Sequence, residues 1–105
     1  MYILDIYMKL LEFSSIEGFE WDHGNIDKNW LKHKVKLGEN EEIFFNEPIL
    51  IAYDENHSEK ERRFASLGIS NDSRRLFAVL TIRNNKIRII STRDMSKKER
   101  KFFEN

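Results

Sequence analysis

The chain has no cysteine, one proline and four glycines among its 105 residues. Without cysteine there is no disulfide, no thiolate nucleophile and no cysteine-ligated zinc, which fits a reducing, cytoplasmic setting. Few glycines and prolines, with 40% apolar content, describe a compact globular chain rather than a disordered one. No stretch approaches the roughly 20 consecutive apolar residues of a membrane span. The first 13 residues (MYILDIYMKLLEF) carry Asp5, Lys9 and Glu12 and have neither a basic leader nor a small-residue cleavage site, so they make a poor signal peptide. Net charge is also missing, but only on average. Residues 1–61 hold 14 acidic and 6 basic side chains, whereas residues 74–105 hold 10 basic and 3 acidic ones. A basic end of that kind can meet a polyanion.

What is present is organised around residues 76–83 and 86–93, two β-rich runs joined by Asn84-Asn85. Asparagine tolerates positive φ, so the pair suits a two-residue hairpin turn. Such a turn sets Arg83 opposite Lys86, Ile82 opposite Ile87, Thr81 opposite Arg88, Leu80 opposite Ile89 and Val79 opposite Ile90. Alternation then gathers Ala78, Leu80, Ile82, Ile87 and Ile89 on a core face, and Thr81, Arg83, Lys86 and Arg88 on the other, together with Phe77 and Val79. Before the hairpin, residues 1–13 suggest an amphipathic helix and 19–21 a short strand. Residues 25–34 suggest a helix capped by Asp22 with Ile26, Trp30 and Leu31 inward. Residues 36–45 read as a second helix that Pro48 follows, 49–53 as a strand, and 54–60 as a polar loop holding Asn56, His57 and Ser58. Residues 63–69 form another strand, and Asn71-Asp72-Ser73 a turn. Ser96 and Glu99 have capping-box spacing, so a helix through Phe102-Phe103 closes the chain. The expected fold is α+β in one domain, 1–105: a small antiparallel sheet in meander order, two helices before it and one after.

The cationic face is the first candidate for chemistry. Arg83, Lys86 and Arg88, with Arg63 on the adjacent strand, could hold phosphates, since a guanidinium offers a planar fork of donors. The plain alternative is the solvated side of a sheet covered on one side only. Arg93, by strict alternation, belongs to the opposite face unless a bulge or the strand end turns it. His33 could serve as acid or base, or could simply be a helix C-terminal histidine favoured by the dipole. His23 and His57 lack partners at metal-ligand spacing, so neither metal nor cofactor is expected. Trp21 and Trp30 read as core anchors. Lys97, Lys98, Arg100 and Lys101 are either a solvated helix face or a track for a nucleic-acid backbone. There is no phosphate-binding glycine loop, nucleophile elbow or dinucleotide fingerprint.

Several stretches together resemble the BrnT toxins of bacterial type II toxin–antitoxin systems. They are Phe19-Glu20-Trp21-Asp22; Asn29 with Lys32-His33; Glu39 to Phe45; Glu61-Arg62-Arg63-Phe64 leading to Leu67-Gly68; residues 76–81; Ile87-Arg88-Ile89-Ile90-Ser91-Thr92-Arg93; and Glu99-Arg100. The sequence departs from the family pattern at Asn25, where a lysine is usual, at Lys34, where glycine is usual, and at Phe103, often tyrosine. Residues 1–18 form an extra N-terminal segment, with Met8 an alternative start. The resemblance implies a RelE-like fold and metal-independent ribonuclease activity that blocks translation. It also implies a BrnA-like ribbon-helix-helix antitoxin through which the complex meets DNA. Its chemistry would use the substrate 2′-hydroxyl as nucleophile, with Arg88, Arg83, Arg93 and Arg63 stabilising the phosphorane. His33 would transfer the proton, with Glu99 and Tyr53 behind it. A non-cleaving nucleic-acid-binding module and a toxin-derived regulator are the competing readings.

Overall fold

A computed structural model describes residues 16–54 and 60–104. The helix expected over residues 1–13, the Met8 start and the loop residues Asn56, His57 and Ser58 lie outside the described residues. In chain order the elements are β1 (Gly18–Phe19), α1 (His23–His33), α2 (Leu37–Glu42), β2 (Leu50–Tyr53), β3 (Arg63–Ile69), β4 (Arg75–Arg83), β5 (Lys86–Asp94) and α3 (Lys97–Phe103). They form a five-stranded sheet in the order β1-β5-β4-β3-β2.

The meander of β2 to β5 is antiparallel as expected, but β1 adds a parallel strand beside β5. The entering chain thereby satisfies the open edge of β5: Glu17 N–H donates to Asn85 O and Glu20 N–H to Ile87 O, both at 2.8 Å. The hairpin turn has Asn84 at φ 55° and Asn85 at φ 60°, the left-handed pair that a tight two-residue turn requires.

Register follows the sequence reading from Arg83↔Lys86 to Leu80↔Ile89 and then breaks. Val79 pairs with Ser91 rather than Ile90, which has no partner, so β5 carries a bulge. Beyond it every side chain changes face. Thr92 and Asp94 turn towards the face that holds Ala78 and Leu76, while Ser91 and Arg93 join Val79 and Phe77 on the other. Without the extra residue Arg93 would be driven into an apolar core, where an uncompensated charge is costly.

On the first face, Ile51, Phe64, Leu80, Ile87 and Ile89 form one buried cluster, and Val35, Ile43, Leu76 and Ala78 another beneath the α1–α2 turn. On the second, α3 covers one end through Phe103 and Met95 against Leu67, Phe77, Leu50 and Ile69. The Ser96–Glu99 capping box that starts α3 is formed as the sequence suggested.

Helix α1 corrects the sequence reading most. Its start is capped by Asp22, whose carboxylate accepts from Asn25 N–H. Its inward residue, however, is Asn29, fully buried, whereas Trp30 is 45% and Leu31 70% exposed. The helix docks on the β5 backbone by side-chain amides. Asn25 Nδ2 donates to Ile89 O at 3.3 Å, and Thr92 N–H donates to Asn29 Oδ1 at 3.1 Å. These strand groups flank the bulge, and one helical turn separates the two asparagines, so each amide meets a backbone group left without a strand partner. Lys34 then ends α1 at φ 55°, a left-handed position that favours glycine. Trp21, unlike Trp30, packs on the core, and its indole N–H donates to Glu41 at 2.6 Å. Helix α2 stops at Glu42, short of the expected Phe45, whose ring is 78% exposed.

Candidate nucleic-acid interface

Strand pairing builds the second sheet face in rows, because residues directly opposite each other share a face. Arg83 and Lys86 form the outermost row. Arg63, Thr81 and Arg88 form the next across β3, β4 and β5, followed by Ala65, Val79 and Ser91, and then Leu67, Phe77 and Arg93. The bulge therefore brings Arg93 onto the same face as Arg63, Arg83, Lys86 and Arg88. Neighbouring strands lie about 4.8 Å apart, so the backbones of Arg63 and Arg88 stand roughly 10 Å apart across Thr81. Two guanidinium forks rising from that row can close on one phosphate from either side.

Each of three arginines is held by a carboxylate. Arg83 pairs with Glu61 at 3.0 Å. Arg88 pairs with Asp22 at 2.9 Å and Glu20 at 3.5 Å. Arg93 makes a two-point contact with Glu99, at 2.8 and 2.9 Å, and its guanidinium lies 4.2 Å over the Phe77 ring. The Arg93 hydrogen bonds are the main reason the Glu99 carboxyl sits below its ordinary range, with the Ser96 backbone assisting. Asp22 is lowered first by the Asn25 N–H and less by Arg88. Both carboxylates are thus weak bases, and the arginines are oriented before any ligand arrives.

The proton-transfer candidates are dispersed. The His33 carbonyl accepts from Arg74 at 2.9 Å at the end of α1, beside Asp94, whose register partner Leu76 belongs to the helix-covered core. Tyr53 pairs with Phe64 on that same covered face, their rings 5.8 Å apart. Neither is brought to the cation rows. Glu99 is there, but committed to Arg93 and Ser96. Of the α3 cations, Lys98 borders the sheet face, where with Leu67, Phe77, Ser96, Glu99 and Phe102 it lines a cavity of about 330 Å³. Lys97, Arg100 and Lys101 are exposed, and Arg100 acts on Asp94 rather than on the cation rows.

Two contributors went unnoticed in sequence. Asp22 read only as a helix cap, yet its second oxygen orients Arg88, 66 positions away. Phe102, half exposed, was not distinguished from its buried neighbour Phe103. The capping motif could have pointed to Asp22, since a cap leaves one carboxylate oxygen unused.

Among the described residues no group of three or more His, Cys, Asp or Glu is arranged to hold a metal, and no helix is long and apolar enough to cross a membrane. A family model described as the ribonuclease toxin BrnT of type II toxin–antitoxin systems matches residues 21–99. A search of curated proteins found no match.

Proposed function

The chain belongs to the BrnT family of ribonuclease toxins of type II toxin–antitoxin systems, and on that premise we propose a metal-independent endoribonuclease whose working surface is the cationic sheet face. The observation that carries this reading is the β5 bulge, which sets Arg93 on the side of Arg63, Arg83 and Arg88. A sheet needs no such defect to be stable. A surface that must present guanidinium groups to a dianionic phosphorane gains directly from it.

In this reading the RNA backbone lies over the rows, its scissile phosphate between Arg63 and Arg88 above Thr81. The substrate's 2′-hydroxyl attacks the adjacent phosphorus as the bond from phosphorus to the 5′-oxygen breaks, leaving a 2′,3′-cyclic phosphate and a 5′-hydroxyl end that takes up a proton, while the guanidinium groups neutralise the charge that develops on the non-bridging oxygens. Arg83 and Lys86 hold the phosphate on one side and Arg93 on the other, and Lys97, Lys98, Arg100 and Lys101 contribute attraction along α3. His33 stays outside this arrangement, so catalysis rests on positioning and electrostatic stabilisation, with proton transfer left to groups of the substrate or of the ribosome. The protein acts in the cytoplasm with a RelE-like fold. A BrnA-like antitoxin carrying a ribbon-helix-helix module neutralises it and brings the complex to DNA.

The carboxylates on Arg83, Arg88 and Arg93 favour one second reading, a protein that binds RNA without cleaving it, because phosphate must first displace them. Induction of the chain alone followed by primer-extension mapping of transcript ends separates the two. The wild type should arrest growth and generate new 5′ ends within minutes, and Arg88→Ala should do neither while remaining folded. New ends that persist in a folded Arg88→Ala variant would remove the site assignment. Arrest without new ends would favour the binding module.

A further inference from the structure

The cation rows do not end at Arg93. They lead into the cavity of about 330 Å³ between α3 and the sheet, whose walls are Leu67 and Phe77 below and Ser96, Lys98, Glu99 and Phe102 above. We infer that this cavity is a nucleobase-binding subsite, in which a base of the bound RNA stacks on Phe102 while the phosphates on either side are held by Arg93 and Lys98. The inference rests on the ribonuclease reading above for the identity of the ligand and extends it from backbone attraction to base contact.

Four observations converge. First, size: about 330 Å³ lies at the small end of cavities that take organic ligands, suited to one ring system rather than to a peptide helix. Second, the aromatic surface is available. Phe103 is 8% exposed in the core with Leu67 and Met95, whereas Phe102 next to it is 50% exposed and lines the cavity. Third, cations flank the aromatic wall. Arg93 lies over Phe77, and Lys98 stands one helical turn before Phe102. A charged track that ends in exposed rings is how single-stranded nucleic acids are commonly gripped, the phosphates by cations and the bases by π-faces. Fourth, polar groups at the rim differ in kind. The Lys98 ammonium donates, the Ser96 oxygen already accepts from Glu99 N–H so that its hydroxyl is left to donate, and the Glu99 carboxylate, held by Arg93 and Ser96 N–H, offers its remaining lone pairs as acceptors, so the rim can distinguish base edges. The separation is also right. From Arg83 to Phe77 along β4 is about 20 Å at roughly 3.3 Å per residue, room for several nucleotides between the outermost cations and the cavity.

The test reads binding rather than cleavage. Full-length protein is titrated by fluorescence anisotropy with 2′-O-methyl hexanucleotides of each base, which lack the nucleophilic hydroxyl, and with an abasic hexamer of the same charge. The wild type should hold at least one base-bearing hexamer about five-fold or more tighter than the abasic one, the low end of what a stacked base contributes. Phe102→Ala and Phe102→Leu should reduce that advantage to within about two-fold, Phe102→Trp should keep it, and all three should keep the wild-type salt slope, which counts phosphates. Leucine fills the space without a π-face, so its behaviour separates stacking from packing. An advantage that survives both Phe102→Ala and Phe102→Leu, or a wild type indifferent to the bases, overturns the subsite. A wild type that prefers bases but generates no transcript ends would instead sink the ribonuclease reading and leave the subsite standing.

Discussion

Arg74 gathers partners from three separate elements, and none of these contacts could be foreseen in the sequence. Its guanidinium donates to both oxygens of Asp94 at 2.7 and 3.1 Å, to the carbonyls of Lys34 and His33 at 2.7 and 2.9 Å, and to Glu39 at 3.2 Å. It thereby ties the open carbonyls at the end of α1 to the start of α2 and the end of β5, which a five-donor fork can do and a lysine cannot. Arg74→Ala should cost roughly 2 kcal/mol of stability, discounted for the exposed Asp94 arm. A urea midpoint within error of the wild type would show that the clasp is ornamental. Its neighbour Arg75 looks equivalent in sequence but points to other partners, Glu104 at the end of α3 and the Ser73 carbonyl. Lys34 and Asn25 read in sequence as departures from a family pattern, and each has a local structural setting. Lys34 occupies a left-handed helix end, at some conformational cost, while its ammonium lies 5.1 Å over Trp30. Asn25 reaches the β5 backbone.

At the scale of elements, hairpin and caps were legible because they are decided within a few residues. Asn84-Asn85 can adopt the required φ values by themselves, and Ser96 and Glu99 reach each other within one turn. The bulge was only conditionally legible. Alternation set Arg93 on the wrong side, so a bulge was one way to reconcile it, but the unpaired residue could not be located without the packing of α1. The inward face of α1 was misread for a related reason. Hydrophobic periodicity points to Trp30 and Leu31, whereas the docking is by amide groups that periodicity does not score. Where α2 runs out over β3, Gly68 is required by contact alone: a Cβ there would stand 2.8 Å from Ile43 Cβ and 3.2 Å from its carbonyl. Ile43 is fully buried and its backbone cannot retreat, so Gly68→Ala should destabilise by about 1–3 kcal/mol. Thermal unfolding checks this, and an unchanged midpoint would mean that the turn after α2 is looser than described.

At the scale of the molecule, net charge of zero conceals a basic second half whose arginines are partnered by carboxylates of both halves, Glu20, Asp22, Glu39 and Glu61 from the acidic first and Asp94, Glu99 and Glu104 from the second. Acid should therefore loosen the fold. Glu99 and Asp94 are held below their ordinary values of 4.5 and 3.8, chiefly by hydrogen bonds from Arg93 and Arg74. A carboxyl whose pKa is lowered by folding contributes stability that is complete above its unfolded value and is lost as pH falls through the folded one. Urea midpoints should be level from pH 7 to about 5 and decline below about pH 4.5. The decline should be shallower in Glu99→Gln, which no longer titrates. A decline equally steep in that variant would assign the acid sensitivity elsewhere.

The sequence alone determined the absence of cysteine, the cation-bearing hairpin and the capped final helix. Ordered motifs determined its family. These depend on residue type and on contacts a few positions long, which a linear reading captures. Tertiary structure decided which face each arginine shares, because face is a parity and one unpaired residue, Ile90, inverts it for the rest of β5. It also decided that His33 lies away from the cation rows, that Asp22 orients Arg88, and that of two adjacent phenylalanines Phe102 is left half exposed while Phe103 is buried. Each depends on partners tens of residues away, and distance along the chain says nothing of direction in space.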